Sequence, residues 1–257
     1  MVKNGQKLFM RIRKTTNASF NFEKEKILDN VNFSDVALRD IQIAMESRKQ
    51  GVLNYFELDF DTLNDNEFSK KLLHYLTSRS LVNAETFSIY FRNLDQILDF
   101  LPRINPGKLE VLEIRHQPDF PFPFFDLSRI AKMEQWKRAK RLQLSHFRME
   151  VPLENLLHFE NVMVAVKEVS LDTVIKLKEA FLKFAHLQYF FFNFVKFDSR
   201  PQSLTDEFGQ PHRDNPRREW LFEIENSEEV ISLNFETFSF NFERKLKESN
   251  QVSREVQ

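Results

Sequence analysis

Three groups of residues have types and spacings that could do chemistry. Glu57, Asp59 and Asp61 repeat at period two, so on an extended strand their carboxylates share one face. A calcium loop would need glycine turns between them. They therefore read as a solvated strand face or as the footprint of a basic partner. Lys137, Arg138, Lys140 and Arg141 form the densest basic patch, beside Trp136, and cations next to an aromatic ring are the chemistry of a nucleic-acid surface. The same residues are also drawn to a helix C-terminus by its dipole, and a formal net charge of -1 leaves no basic excess. Phe120, Phe122, Phe124 and Phe125 alternate with Pro118, Pro121 and Pro123. Proline keeps such a stretch extended, and rings left exposed there would form a hydrophobic recognition patch.

Catalytic and cofactor chemistry finds little support. The six histidines, at 74, 116, 146, 158, 186 and 212, include no H-E-x-x-H pair, and no G-x-S-x-G turn occurs. The four glycines never fall two to a loop, so no phosphate cradle forms. Cysteine is absent, which removes disulfides, thiolate nucleophiles and cysteine-ligated zinc. The expectation is a protein that is not an enzyme, with no cofactor and no metal. No apolar run reaches the length of a membrane span and no signal-peptide core opens the chain, so an intracellular location, cytoplasmic or nuclear, is expected.

The elements that must position any site show a degenerate repeat. An apolar-x-x-apolar-x-apolar pattern has its middle residues at 56, 87, 112, 142, 162 and 190, with successive spacings of 31, 25, 30, 20 and 28. Helical spacing fills the intervals. Asn93 precedes one helix, Asp126 is expected to cap one running through Ile130, Met133 and Trp136, and Ser170 caps one carrying Val174, Leu177, Phe181 and Phe184. Asn105-Pro106-Gly107 suits a type II turn. Alternating strands and helices favour a parallel sheet. The architecture expected is an α/β, irregular leucine-rich-repeat-like solenoid with parallel strands and outer helices. Residues 196–219 lack periodicity and read as a long loop. Trp220–Glu225 and Val230–Phe235 then read as an antiparallel hairpin cap, with Phe238–Phe242 as a third strand.

In that architecture the residues between the pattern's apolar positions face away from the helices. They are Glu57 and Asp59, Ser88 and Tyr90, Glu113 and Arg115, Gln143 and Ser145, Met163 and Ala165, and Phe191 and Asn193. The first four rows are polar and the last two mostly apolar. The candidate partner-binding residues are therefore Glu57, Asp59, Tyr90, Glu113, Arg115, Gln143, Met163 and Phe191, with Phe122 and Phe124 from the Phe-Pro stretch. Met163 and Phe191 also suit burial under the hairpin.

Several segments resemble a known family. LPRINPGKLEVLEI, MEQWKRAKRLQL, VSLDTVIKLKEAFLKFAHLQYF and FGQP followed by WLFEIENSEEVISL occur in the order seen in the FTH domain of nematode F-box proteins. The likeness runs over roughly residues 35–245. It implies a protein-interaction domain that selects substrates for an SCF-type ubiquitin ligase, and it carries no catalytic residues. Family members usually open with an F-box, which starts with a Leu-Pro pair and binds the Skp adaptor. Here the only such pair, Leu101-Pro102, ends a repeat helix, so Skp adaptor binding is not expected of this chain. The organisation expected is a strand-like segment over 1–33, including Phe20 and Phe22, an FTH or leucine-rich-repeat-like domain over 34–243, and a charged, disordered tail over 244–257. The function expected is binding of an unknown protein partner, with nucleic-acid binding through 137–141 as the alternative and no membrane partner.

Overall fold

The computed structural model describes residues 10–13, 33–46, 51–60, 66–116, 123–150, 152–214 and 217–247. They fall into two compact units, Met1–Asn155 and Leu156–Gln257, where the sequence suggests one domain over 34–243. Phe20 and Phe22 lie outside the described residues.

The first unit contains β1 (Met10–Arg13), α1 (Phe33–Glu46), β2 (Leu53–Asp59), α2 (Asn66–Thr77), β3 (Ala84–Phe91), α3 (Leu94–Phe100), β4 (Val111–His116), β5 (Phe124–Asp126), α4 (Glu134–Arg138), β6 (Arg141–Ser145) and β7 (Arg148–Glu150). Strands β2, β3, β4 and β6 pair in parallel in that order. β1 adds antiparallel to β2, and β5 pairs with β7. The repeat pattern is in step across the sheet: Phe56, Phe87, Leu112 and Leu142 are successive partners, as are Leu58, Ile89, Ile114 and Leu144. All eight are buried, because the period of two sends every second side chain to the face that leaves water. Asn93 starts α3 with a capping box, its side chain accepting from the Gln96 N–H while Gln96 reaches back. Phe100 then meets Phe60 at 5.0 Å between ring centres.

Two local expectations change. Asp126 does not cap a helix through Trp136. It ends β5, and its carboxylate accepts from the Ser128 N–H at 2.8 Å. A 3-10 turn at Ile130–Lys132 and the short α4 follow, broken at Met133 by an extended ψ of 148. The break lets Gln135 reach the Ile104 carbonyl at 2.8 Å and the Trp136 indole N–H reach the Asn155 carbonyl at 2.9 Å. One continuous helical stripe through Ile130, Met133 and Trp136 would not aim both groups this way. Gly107 is the second change, because among the described glycines only Gly209 has a positive φ. The Asn105 side chain instead closes the turn, accepting from the Gly107 N–H at 2.9 Å.

The second unit contains β8 (Asn161–Val169), α5 (Leu171–Lys183), β9 (Tyr189–Phe197), α6 (Pro201–Phe208), β10 (Arg218–Glu223), β11 (Glu229–Glu236) and β12 (Ser239–Leu246). Its sheet runs β8-β9-β12-β11-β10, parallel at β8-β9 and antiparallel beyond. Ser170 caps α5 as expected, accepting from the Thr173 N–H at 3.0 Å. The expected hairpin and third strand are present. They extend the sheet edge to edge through β12 against β9 and do not fold over its face, so Met163 keeps 41% of its surface exposed.

The stretch expected as a loop holds α6, with Pro201 at its first turn, Leu204 buried and Gly209 at its end with φ 79 and ψ -170. Proline and glycine there punctuate a helix. The charged tail also starts later than its composition suggests. Arg244 lies within β12 with its side chain 4% exposed. Its guanidinium donates to the carbonyls of Phe181, Phe184 and Leu187 at 2.6, 3.3 and 3.2 Å, which satisfies the open end of α5. Residues 248–257 lie outside the described residues.

Candidate functional site

On the first unit's sheet, the side chains that alternate with the buried apolar rows form two ordered rungs. One is Glu57, Ser88, Glu113 and Gln143, and the next is Asp59, Tyr90, Arg115 and Ser145. All four of the first unit's expected polar rows therefore meet on one face. Tyr55 joins them, paired with Thr86 on the neighbouring strand. The sequence reading missed it, although the same period of two through residues 55, 57 and 59 points to it.

These side chains bind one another. The Tyr55 hydroxyl donates to Glu57 at 2.6 Å and lies 3.4 Å from a Glu113 oxygen. Arg115 donates to the same Glu113 oxygen at 2.6 Å and to the Tyr90 hydroxyl at 2.6 Å. Its guanidinium carbon sits 5.1 Å from the Tyr90 ring centre, within cation–π range. Burial, and then the bond to Glu57, raise the Tyr55 pKa well above the usual tyrosine value, so its hydroxyl stays a donor. Burial works against the Arg115 charge, but Tyr90 and Glu113 outweigh it and hold its pKa above the ordinary arginine value. The result is a pre-ordered polar surface. Glu57 is only 7% exposed, while Tyr90, Arg115, Gln143 and Ser145 are half-buried.

Of the Phe-Pro stretch, Phe125 packs against Phe91, His116 and Phe147 with centroids 5.1, 5.3 and 5.6 Å away. Phe124 points outward at 47% exposure, with the Arg148 guanidinium 5.5 Å from its ring centre. Phe122 lies outside the described residues.

In the second unit, Met163 pairs with Phe191 and Ala165 with Asn193. Phe191 and Asn193 line a groove of about 490 Å³ across β9, β12 and β11, which the sequence reading did not anticipate beyond those two residues. Glu219 anchors a buried network next to it, accepting from Ser232 at 2.8 Å and Lys245 at 2.7 Å. Burial opposes the Glu219 charge, yet these donors hold its pKa below the usual glutamate value.

Three of the four cations of the basic patch pair with two carboxylates of the chain. Lys137 and Arg138 pair with Glu134 at 3.1 and 3.5 Å, and Lys140 pairs with Glu110 at 3.0 Å. Trp136 is fully buried. Two of the histidines brace backbone, His146 donating to the His116 carbonyl at 3.2 Å and His186 to the Leu157 carbonyl at 2.8 Å. Among the described residues no group of His, Asp or Glu could hold a metal, and no helix is long and apolar enough to cross a membrane.

Fold and faces together define a mixed α/β scaffold that presents ordered strand surfaces. Residues 66–210 match the FTH domain, which is more than half of the chain, and the chain belongs to that family. It is 25% identical over 161 residues to F-box A protein 224 of Caenorhabditis elegans, a match covering 61% of this chain and 41% of that protein. The chain thus spans less than half of that relative's length. No solved structure matches it.

Proposed function

We propose that this chain is a non-catalytic protein-interaction module of the F-box-associated type, resembling the part of F-box proteins that selects substrates for a ubiquitin ligase. The observation that carries this reading is the pair of polar rungs on the first unit's sheet, pre-ordered by the bonds of Tyr55 and Arg115. A surface whose polar groups are fixed before binding loses little entropy on association. Membership of the FTH family and the F-box name of the relative support the same reading. The strand-and-helix modules are read as degenerate leucine-rich-repeat-like units, with Glu57, Asp59, Tyr90, Glu113, Arg115 and Gln143 as the principal footprint. Phe124, Met163 and Phe191 are proposed as accessory contacts. A role among cytoplasmic or nuclear proteins follows from this reading.

Affinity capture with quantitative mass spectrometry tests it. Wild-type chain is compared with Tyr90→Ala and Gln143→Arg, each checked by melting temperature. The expected result is a protein captured by wild type, depleted by both substitutions, and accumulating in cells that lack the chain while its message stays constant. Capture unchanged by both folded variants would remove the footprint, and a captured partner with unchanged turnover would remove the ligase role.

A further inference from the structure

We propose that the groove across β9, β12 and β11 binds an extended, uncharged peptide segment of a partner protein. The inference rests on the interaction-module reading and gives it a second, chemically distinct contact site. Three observations carry it. The first is charge: among the lining residues only Arg217 and Glu236 are charged, and they form an ion pair with each other. A phosphate backbone would meet no uncommitted cation there, and an acidic or basic peptide would meet no complement.

The second observation is an unmet hydrogen bond. Asn241 lines the groove, and its Oδ1 is buried without a hydrogen-bond partner. Buried acceptors are rarely left so, and rotation of the Asn241 amide would turn that oxygen toward the groove, where a peptide N–H is a donor of the right kind. Its cross-strand neighbour Asn234 is fixed along its own strand, donating to Ser232, which in turn donates to Glu219. That chain holds the Asn234 amide in place on the groove wall.

The third is the alternation of polar and apolar groups. Phe191 is the partner of Asn241 on one side, and Asn234 on the other. Phe238 stands at the rim with 59% of its surface exposed. An extended peptide presents backbone polar groups and side chains in alternation, so the amides receive its backbone while the rings seat an apolar side chain. This is the chemistry by which grooves with pre-placed polar groups and aromatic walls take peptide segments.

A phage-displayed library of random linear peptides, selected on the purified full chain, tests the assignment. The expected outcome is enrichment of peptides with an uncharged core around one apolar residue. Their affinity should fall about tenfold or more with Phe238→Ala, as for an aromatic anchor that a bound segment covers, and also with Asn241→Leu. Gln143→Arg in the first unit should leave it unchanged. Phe238 is exposed, so Phe238→Ala should keep the wild-type melting temperature and remain informative if Asn241→Leu fails to fold. No enrichment, or peptide binding indifferent to Phe238→Ala, overturns the proposal. So does a glycan-array ligand whose binding depends on Phe238 and Asn241, which would assign the groove to saccharide. Protein capture that still depends on Tyr90 and Gln143 when no peptide enters the groove would remove the groove alone. Loss of all specific capture would remove the module reading itself.

Discussion

Trp136 shows how one side chain settles between two chemistries. Exposed beside four basic residues it would be a stacking platform. Buried, with its N–H on the Asn155 carbonyl, it is a packing element. Trp136→Ala leaves a cavity and an unmet carbonyl, so unfolding by denaturant should show a loss of about 3–5 kcal/mol. An unchanged midpoint would return the ring to the surface. Glu219 makes a second residue-level case. Its native pKa is depressed by Lys245 and Ser232, so the unfolded chain binds its proton more readily than the folded chain. The stabilisation is present above the ordinary glutamate pKa of about 4.3 and is lost as pH falls through the lower native value. Wild type should therefore lose stability in that acid window more steeply than Glu219→Gln. Parallel denaturation curves for the two across the window would show that the carboxylate is not coupled to folding.

At the scale of elements, the sequence is most legible where side chains alternate by burial. The apolar rows through Phe56, Phe87, Leu112 and Leu142 are found both in sequence and in register, because period two is set by the backbone and not by context. Caps at Asn93 and Ser170 are legible for the same local reason. Less visible was anything that depends on distant partners. The break at Met133 answers to Ile104 and Asn155, the α6 helix hides under loop-like composition, and Arg244 looks like tail until its three carbonyl acceptors are known. The candidate face was legible as rows of residues, but not as a bonded cluster, since Tyr55 acts through Glu57 on its own strand and Glu113 two strands away. Arg244 gives the prediction for this scale. Ending the chain after Glu243 removes the cation that satisfies the end of α5, together with Lys245 that pairs Glu219. The shortened chain should lose cooperative melting of the second unit, followed by near-ultraviolet circular dichroism, and Arg244→Met should move in the same direction. A shortened chain that melts like wild type would place these residues outside the folded core after all.

For the whole molecule, the decisive quantity is the balance of charge. Lys and Arg number 37 against 38 Asp and Glu, and the densest cationic patch is tied to Glu134 and Glu110. Such a molecule has no net field to steer it toward a polyanion. Nucleic-acid binding is dominated by release of counterions, so a protein making six to ten phosphate contacts loses about 10³–10⁵ in affinity between 50 and 200 mM salt. On the strand face Arg115 is already paired with Glu113 and Glu57 is buried, so contacts there and through Phe191 and the Asn241 amide rest on hydrogen bonds and apolar packing, in which a bulk-salt term is small. Calorimetric titration of the captured partner over that salt range should then show less than about a tenfold change in Kd, far below the counterion-release figure. A steep linear fall of log affinity with log salt, abolished by replacing Lys137, Arg138, Lys140 and Arg141, would transfer the function to the basic patch. A flat profile that responds to Tyr90 and Gln143 would keep it on the strand face.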